Sequence, residues 1–240
     1  MRIGIPRALL YYHYYPLWQT FWQELGAEVV TSPPTTKEIL DEGVLVAVAE
    51  ACLPVKVFYG HAFHLAPQVE FLFVPRIVSA QPGTYICPKF MGLPDMLRHS
   101  GNRCPPLLTP TLDARSGSRA WERAFLSTGR VLGFGVKECR SAWRQAVTAQ
   151  ARYVARLQEG LTPLDVLDNI PSGEKPGVAR ILLLGHPYNT FDSFVSMELV
   201  TRLRRRGYQV VTPEMLPCQL VEREARRLPK SLFWSLGRSL

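Results

Sequence analysis

A chain of 240 residues, 47% hydrophobic and 20% charged, is long enough for one large or two modest domains around a real core and has the composition of an ordinary globular protein. No apolar run is long enough to cross a bilayer as a helix, and five cysteines without a tight framework fit free thiols or ligands better than disulfides. The net charge of +8 invites nucleic acid, but Arg202, Arg204, Arg205 and Arg206 close an expected helix, where cations suit the dipole. No nucleic-acid-binding motif accompanies them, so neither nucleic acid nor a membrane is an expected partner.

Taken in order, Arg2-Ile3-Gly4-Ile5-Pro6 reads as a short buried strand ending in a turn. No signal peptide is read ahead of it, which places the protein in the cytoplasm, where thiols stay reduced. A helix follows with Leu17, Trp18, Phe21, Trp22 and Leu25 on one stripe, Gly26 as its C-cap, and Glu28-Val29-Val30 as the next strand. Short helices are expected over 37–40, 55–64 and 91–98, with a buried strand over 69–74 and another at Leu107-Leu108-Thr109. A long helix is expected over 137–157. The segment from Asp168 to Gly177, rich in proline, glycine and serine, reads as a linker. Beyond it come a strand over 180–184, a turn at Gly185-His186-Pro187-Tyr188-Asn189, a helix over 194–206, Gly207 as its cap, and a strand at Gln209-Val210-Val211.

The two ends of this list repeat. Setting Pro6 over Pro187 sets Gly26 over Gly207 and Val29-Val30 over Val210-Val211 without a gap. The economical architecture is α/β, with Rossmann-like parallel lobes. A first lobe is expected over 1–168 and includes the long helix, a linker over 169–178, and the start of a second lobe, complete or incomplete, over 179–240. A parallel sheet of this kind binds ligands beyond the carboxyl ends of its strands, where Pro6-Arg7, Cys87 and His186-Pro187-Tyr188 are expected.

Two cysteines stand just before prolines that open helices, in Cys52-Leu53-Pro54 and Cys87-Pro88. Proline suits the first helical turn, and a thiol at a helix N-terminus ionises more easily than one in bulk. Without further information both also read as packed structural cysteines. Lys56 and Lys89 either hold those thiols as thiolates, bind a phosphate, or stand solvated at the helix starts. His61 shares a helix face with His64 and reads either as a polar group facing the site or as a satisfied core histidine. Cys104 precedes a proline but sits in a loop; Cys139 and Cys218 read as structural.

Several runs resemble one family. They are Ile3-Gly4-Ile5-Pro6-Arg7-Ala8-Leu9, Tyr15-Pro16-Leu17-Trp18, Glu50-Ala51-Cys52-Leu53-Pro54-Val55-Lys56 with His61, Cys87-Pro88-Lys89, Gly185-His186-Pro187-Tyr188-Asn189 and Thr212-Pro213-Glu214-Met215-Leu216. In order along nearly the whole chain, they resemble the acyl-CoA dehydratase activase-related proteins, relatives of 2-hydroxyacyl-CoA dehydratase and benzoyl-CoA reductase subunits. The resemblance implies a [4Fe–4S] cluster with Cys52 and Cys87 as ligands, and Lys56, Lys89 and His61 beside it. It further implies low-potential electron transfer with an ATP-dependent activase in anaerobic metabolism, and a CoA-linked small molecule. A third ligand cysteine is expected in a Gly-Cys segment of the second lobe, and the sequence holds no such pair. Either a partner chain completes that lobe, or the protein is a non-catalytic interaction or regulatory subunit. An apolar surface near Leu232, Phe233 and Trp234 is expected to face such a partner.

Overall fold

A computed structural model describes residues 1–100, 104–170 and 179–228. The expected linker and the surface at Leu232, Phe233 and Trp234 therefore lie largely or wholly outside the described residues. The core of the first part is a parallel sheet in the order β2-β1-β3-β5, made of β1 (Arg2–Ile5), β2 (Glu28–Thr31), β3 (Phe71–Phe73) and β5 (Leu107–Leu108). β4 (Arg76–Ser79) and β6 (Thr111–Asp113) pair in parallel and prolong β3 and β5. Pro75 and Pro110 interrupt the strands because neither offers an N–H to the ladder. The ladder nevertheless continues across them, with Val74 donating to the Leu108 carbonyl at 2.9 Å and Arg76 to that of Pro110 at 3.0 Å.

Helices α1 (Tyr11–Glu24), α2 (Lys37–Val46), α3 (Leu53–Leu65), α4 (Pro88–Arg98), α5 (Ala120–Val131) and α6 (Val136–Gln158) cover the sheet, followed by α7 (Pro163–Leu167). The expected stripe of α1 is buried, with Trp18 and Trp22 edge-on to Phe73 at 5.5 and 5.6 Å between ring centres. Pro16 sits inside this helix, which deprives the Tyr12 carbonyl of its usual donor. The long helix α6 repairs the damage. Tyr153 donates its hydroxyl to the Tyr12 carbonyl at 2.6 Å. The Gln150 amide donates to the His13 carbonyl at 2.7 Å and accepts from the Leu17 N–H at 3.3 Å.

The second part contains β7 (Arg180–Leu182), α8 (Pro187–Thr190), α9 (Leu199–Arg205), β8 (Gln209–Val211) and α10 (Cys218–Ala225), with β7 and β8 paired in parallel. The repeat is real from the helix end onward. Ala27 donates to the Trp22 carbonyl at 3.0 Å and Tyr208 to that of Leu203 at 3.2 Å, while Gly26 and Gly207 take φ of +79° and +84°. These are the same C-terminal turn at matching positions. The first strand of the second unit is offset, however. Ile3 pairs with Val29 whereas Ile181 pairs with Val210, so Ile181, not Leu184, stands where Ile3 stands. Pro6 follows its strand directly, and Pro187 comes after a longer turn holding Gly185 and His186; the two prolines are not equivalent. The expected helix over 194–206 also shortens. Asp192 accepts from the N–H groups of Phe194 and Val195 at 3.0 Å each, and Met197 and Glu198 adopt left-handed backbone, so α9 begins only at Leu199. Elements β4, β6, α5 and α7 have no counterpart among the expectations. The short strands are split off by prolines, and α5 buries Ala120 and Phe125 and packs Trp121, Ala124 and Leu126 against the core.

The second part packs on the first. Phe191, Val200 and Val210 join the common buried cluster. Arg204 forks onto Asp165 with both contacts at 2.7 Å, and those side chains are 12% and 4% exposed.

Candidate functional site

Helices that return from the carboxyl ends of parallel strands begin at that end of the sheet. α3 and α4 both do so, and each is opened by one of the two cysteines. Cys52 is the N-cap of α3 with a proline in the first turn, and Cys87 is the N-cap of α4, followed at once by Pro88. Neither side chain accepts a capping bond from its helix, Cys52 is exposed and Cys87 half-buried. Both first turns begin at the carboxyl end of the sheet, where such turns leave N–H groups unpaired. Behind them Phe58 of α3 and Phe90 of α4 line one small cavity of about 20 Å³ together with Pro6.

The second part reaches this edge. His186 is the N-cap of α8, again with a proline next, and its ring stacks on Tyr188 at 5.1 Å with an angle of 24°. Tyr188 also approaches Phe90, at 6.2 Å between ring centres. Its phenol is pushed up to about 12, chiefly by burial and further by the charges of the Cys87 and Cys52 thiols. One tyrosine thus feels both cysteines, which are far apart in sequence. His13 of α1 lies close enough to His186 for a positive charge there to disfavour its own; burial is the larger cause and takes it down to about 4.

The other expected residues are placed differently from one another. Lys56 donates its ammonium to the Ala49 carbonyl at 3.0 Å, closing the loop ahead of Cys52. Lys89 is half-buried in the first turn of α4 and has no hydrogen-bond or ion-pair partner among the described residues. His61 is fully buried, more than two turns down α3 from Cys52, and does not stand with the thiols. Its Nε2 meets the Thr35 hydroxyl at 2.8 Å, and that hydroxyl donates to Asp192 at 2.5 Å. The Thr35 hydroxyl therefore accepts from His61 Nε2–H, and Nδ1 is left buried without a partner. Burial, then the charges of Arg7 and His64, push His61 down to about 3. Cys104 is half-buried, with burial pushing its thiol up to about 11, and Cys139 is enclosed in the core.

A second polar cluster, not singled out residue by residue in the sequence, lies where β1 and β2 end. Arg7 donates its backbone N–H to Ser32 Oγ at 2.9 Å and its guanidinium to Asp168 at 2.5 Å, both side chains of the pair being 14% exposed. Leu9, two residues on, holds a left-handed φ of +54°, uncommon for a branched side chain. Arg7 at a strand end was the only available signal; Thr35, Asp168 and Asp192 carry no local mark of their role.

The family model described as CoA enzyme activase uncharacterised domain matches residues 2–216. The chain belongs to this family. The match runs through both cysteine-capped helices, the Arg7 cluster and β8, and ends just ahead of α10. No curated protein matches the chain.

Proposed function

We propose that this member of the CoA enzyme activase domain family contributes Cys52 and Cys87 as two thiolate donors to a shared [4Fe–4S] site, and acts as a redox component beside an ATP-dependent activase. The observation that carries this reading is the pair of cysteines at two helix N-termini at the carboxyl edge of the sheet, with Tyr188 approaching Phe90 of the helix that Cys87 caps. Thiolates hold such clusters, and the positive ends of two helices offset the negative charge of the cluster and its ligands. Lys89, unpaired at the same edge, adds a cation there or meets the phosphate of a CoA-linked molecule.

The donor set falls short of a complete cluster. Among the described residues no group of three His, Cys, Asp or Glu side chains is placed to hold a metal ion. Two thiols are half of the four protein ligands a cubane usually takes. In this reading the remaining donors come from a partner chain. What this chain does by itself is to present two thiols at helix starts, one exposed and one half-buried, with the Tyr188–Phe90 ring pair on α8 and α4. That same shortfall favours a second reading, in which the protein is an interaction or regulatory subunit with no cluster of its own.

Oxygen-free reconstitution with iron and sulfide separates the two. The shared-site reading expects the isolated chain to keep well under the roughly four irons of a full cluster, with that remainder lost in Cys52→Ala and Cys87→Ala. Full occupancy that depends on both cysteines would show that the chain holds a cluster alone. Iron retention unaffected by either substitution leaves the regulatory reading standing.

A further inference from the structure

On the flank of the first part, α6 and α1 form a trough with the connections that flank β4 and β6. It has a cavity volume of about 620 Å³, and none of its lining residues is charged. Tyr14 forms its floor, Trp121 and Pro82 one wall, and Trp143, Val147 and Val154 the other. Val147 and Val154 are 45% and 37% exposed, so the apolar wall is open to solvent. We propose that this trough is a docking groove for an acidic amphipathic helix of a partner protein.

Three features select that occupant. The first is length. The α6 wall runs from Trp143 to Gln158, about 22 Å at the helical rise, which matches four turns of a second helix and exceeds a compact small molecule. The second is texture. Val147, Ala151, Val154 and Ala155 present short side chains at i, i+4, i+7 and i+8, the row into which the ridge of another helix settles. The trough is concave between two tryptophan-bearing helices, a shape that suits a cylinder and not the plane of a lipid surface. The third is charge. Arg144 and Arg140 continue the same face of α6 one and two turns ahead of Val147, and Arg119 stands at the start of α5 across the trough. All three are exposed, and none has a carboxylate partner among the described residues. The apolar seam flanked by unpaired arginines therefore complements a helix with a leucine-like stripe and an acidic face.

Two central polar groups are already engaged. The Gln150 amide is tied to the backbone of α1, and Trp121 donates to the Ser79 carbonyl at 3.3 Å, so the middle of the groove asks its occupant for apolar side chains. The groove stands independently of the thiol reading. It is nevertheless joined to Cys87, because the stretch from Ala80 that walls it runs on to the start of α4.

The test uses a fluorescein-labelled helical peptide of about 15 residues, leucines at i, i+3, i+4 and i+7 and glutamates elsewhere, titrated with the whole chain. Saturable binding is expected, weakening as salt rises. It should fall at least about tenfold in Val154→Glu and in the double variant Arg140→Glu/Arg144→Glu, with circular dichroism showing both still folded. A peptide of the same composition in scrambled order should bind at least as much more weakly. Equal binding of the scrambled peptide, an unaffected Val154→Glu variant, or no saturation up to about 100 μM would overturn the proposal. Self-association of the chain abolished by Val154→Glu would overturn it in favour of a second copy. Co-sedimentation with phosphatidylserine vesicles abolished by the same variant would overturn it in favour of a lipid surface.

Discussion

Pro16 breaks two rungs of α1, and two side chains of α6 mend them. Tyr153→Phe leaves the Tyr12 carbonyl buried without a donor, and Gln150→Ala strips both the Leu17 N–H and the His13 carbonyl. Each is expected to cost about 1–3 kcal/mol, read as a lower urea midpoint at unchanged slope. Burial sets a second residue-scale effect. His61 titrates at about 3 and His13 at about 4 in the fold, against roughly 6.5 when unfolded, so both favour the folded state while neutral. Their contribution is whole above about pH 6.5 and is lost as the pH falls toward those folded values. The melting temperature should therefore drop steadily from neutral pH to pH 4.5. His61→Gln should flatten that slope by up to one proton's share, and an unchanged slope would mean that His61 charges freely in the fold.

Helices α2 and α3 cross more closely than side chains allow. A Cβ at Gly43 would overlap the Lys56 carbonyl oxygen, and one at Gly60 the Ile39 carbonyl oxygen, so the two helices touch backbone to backbone at reciprocal points. This crossing fixes the N-terminus of α3 and with it Cys52. Gly43→Ala and Gly60→Ala are expected to destabilise by about 1–3 kcal/mol or more, since the clash is with backbone and not with a movable side chain. Their thiol readout distinguishes position from stability. The labelling rate of Cys52 should change in both variants while that of Cys87, carried by α4, stays near its starting value. The turn glycines Gly26 and Gly207 behave differently: each has open space around it, so alanine there meets only the penalty of left-handed backbone, about 1–2 kcal/mol.

Across the molecule, the second part is held by a few buried polar links as well as by apolar packing. Asp165→Ala leaves the Arg204 guanidinium without its carboxylate in a nearly closed setting, which costs about 3–5 kcal/mol when such a pair is broken on one side. Asp192→Ala removes both the Thr35 contact and the turn that carries Phe194 and Val195. Both substitutions should raise hydrogen exchange across β8 and α9 before they raise it in β1 and β3. Uniform loosening of both parts would mean that they unfold as one unit. Leu182 at the end of β7 and Leu184 just after it are 59% and 55% exposed, an apolar margin beside the turn that carries His186 and Tyr188.

What the sequence determined by itself was local. A 3.6-residue stripe places α1, prolines after Cys52 and Cys87 start α3 and α4, and glycines at Gly26 and Gly207 end their helices, because stripe, cap and turn depend only on near neighbours along the chain. The alternation of these elements made the α/β class and its parallel strands legible, and the motif runs made the family legible. Only the tertiary structure decided which distant groups meet. It brought Tyr188 to both thiols, withdrew His61 into a buried chain with Thr35 and Asp192, engaged Lys56 on a carbonyl, and set Arg7 against Asp168. It also shifted Pro187 out of register with Pro6. These outcomes follow from sheet order, crossover path and helix crossing, which act through space between residues whose separation along the chain carries no periodic signal.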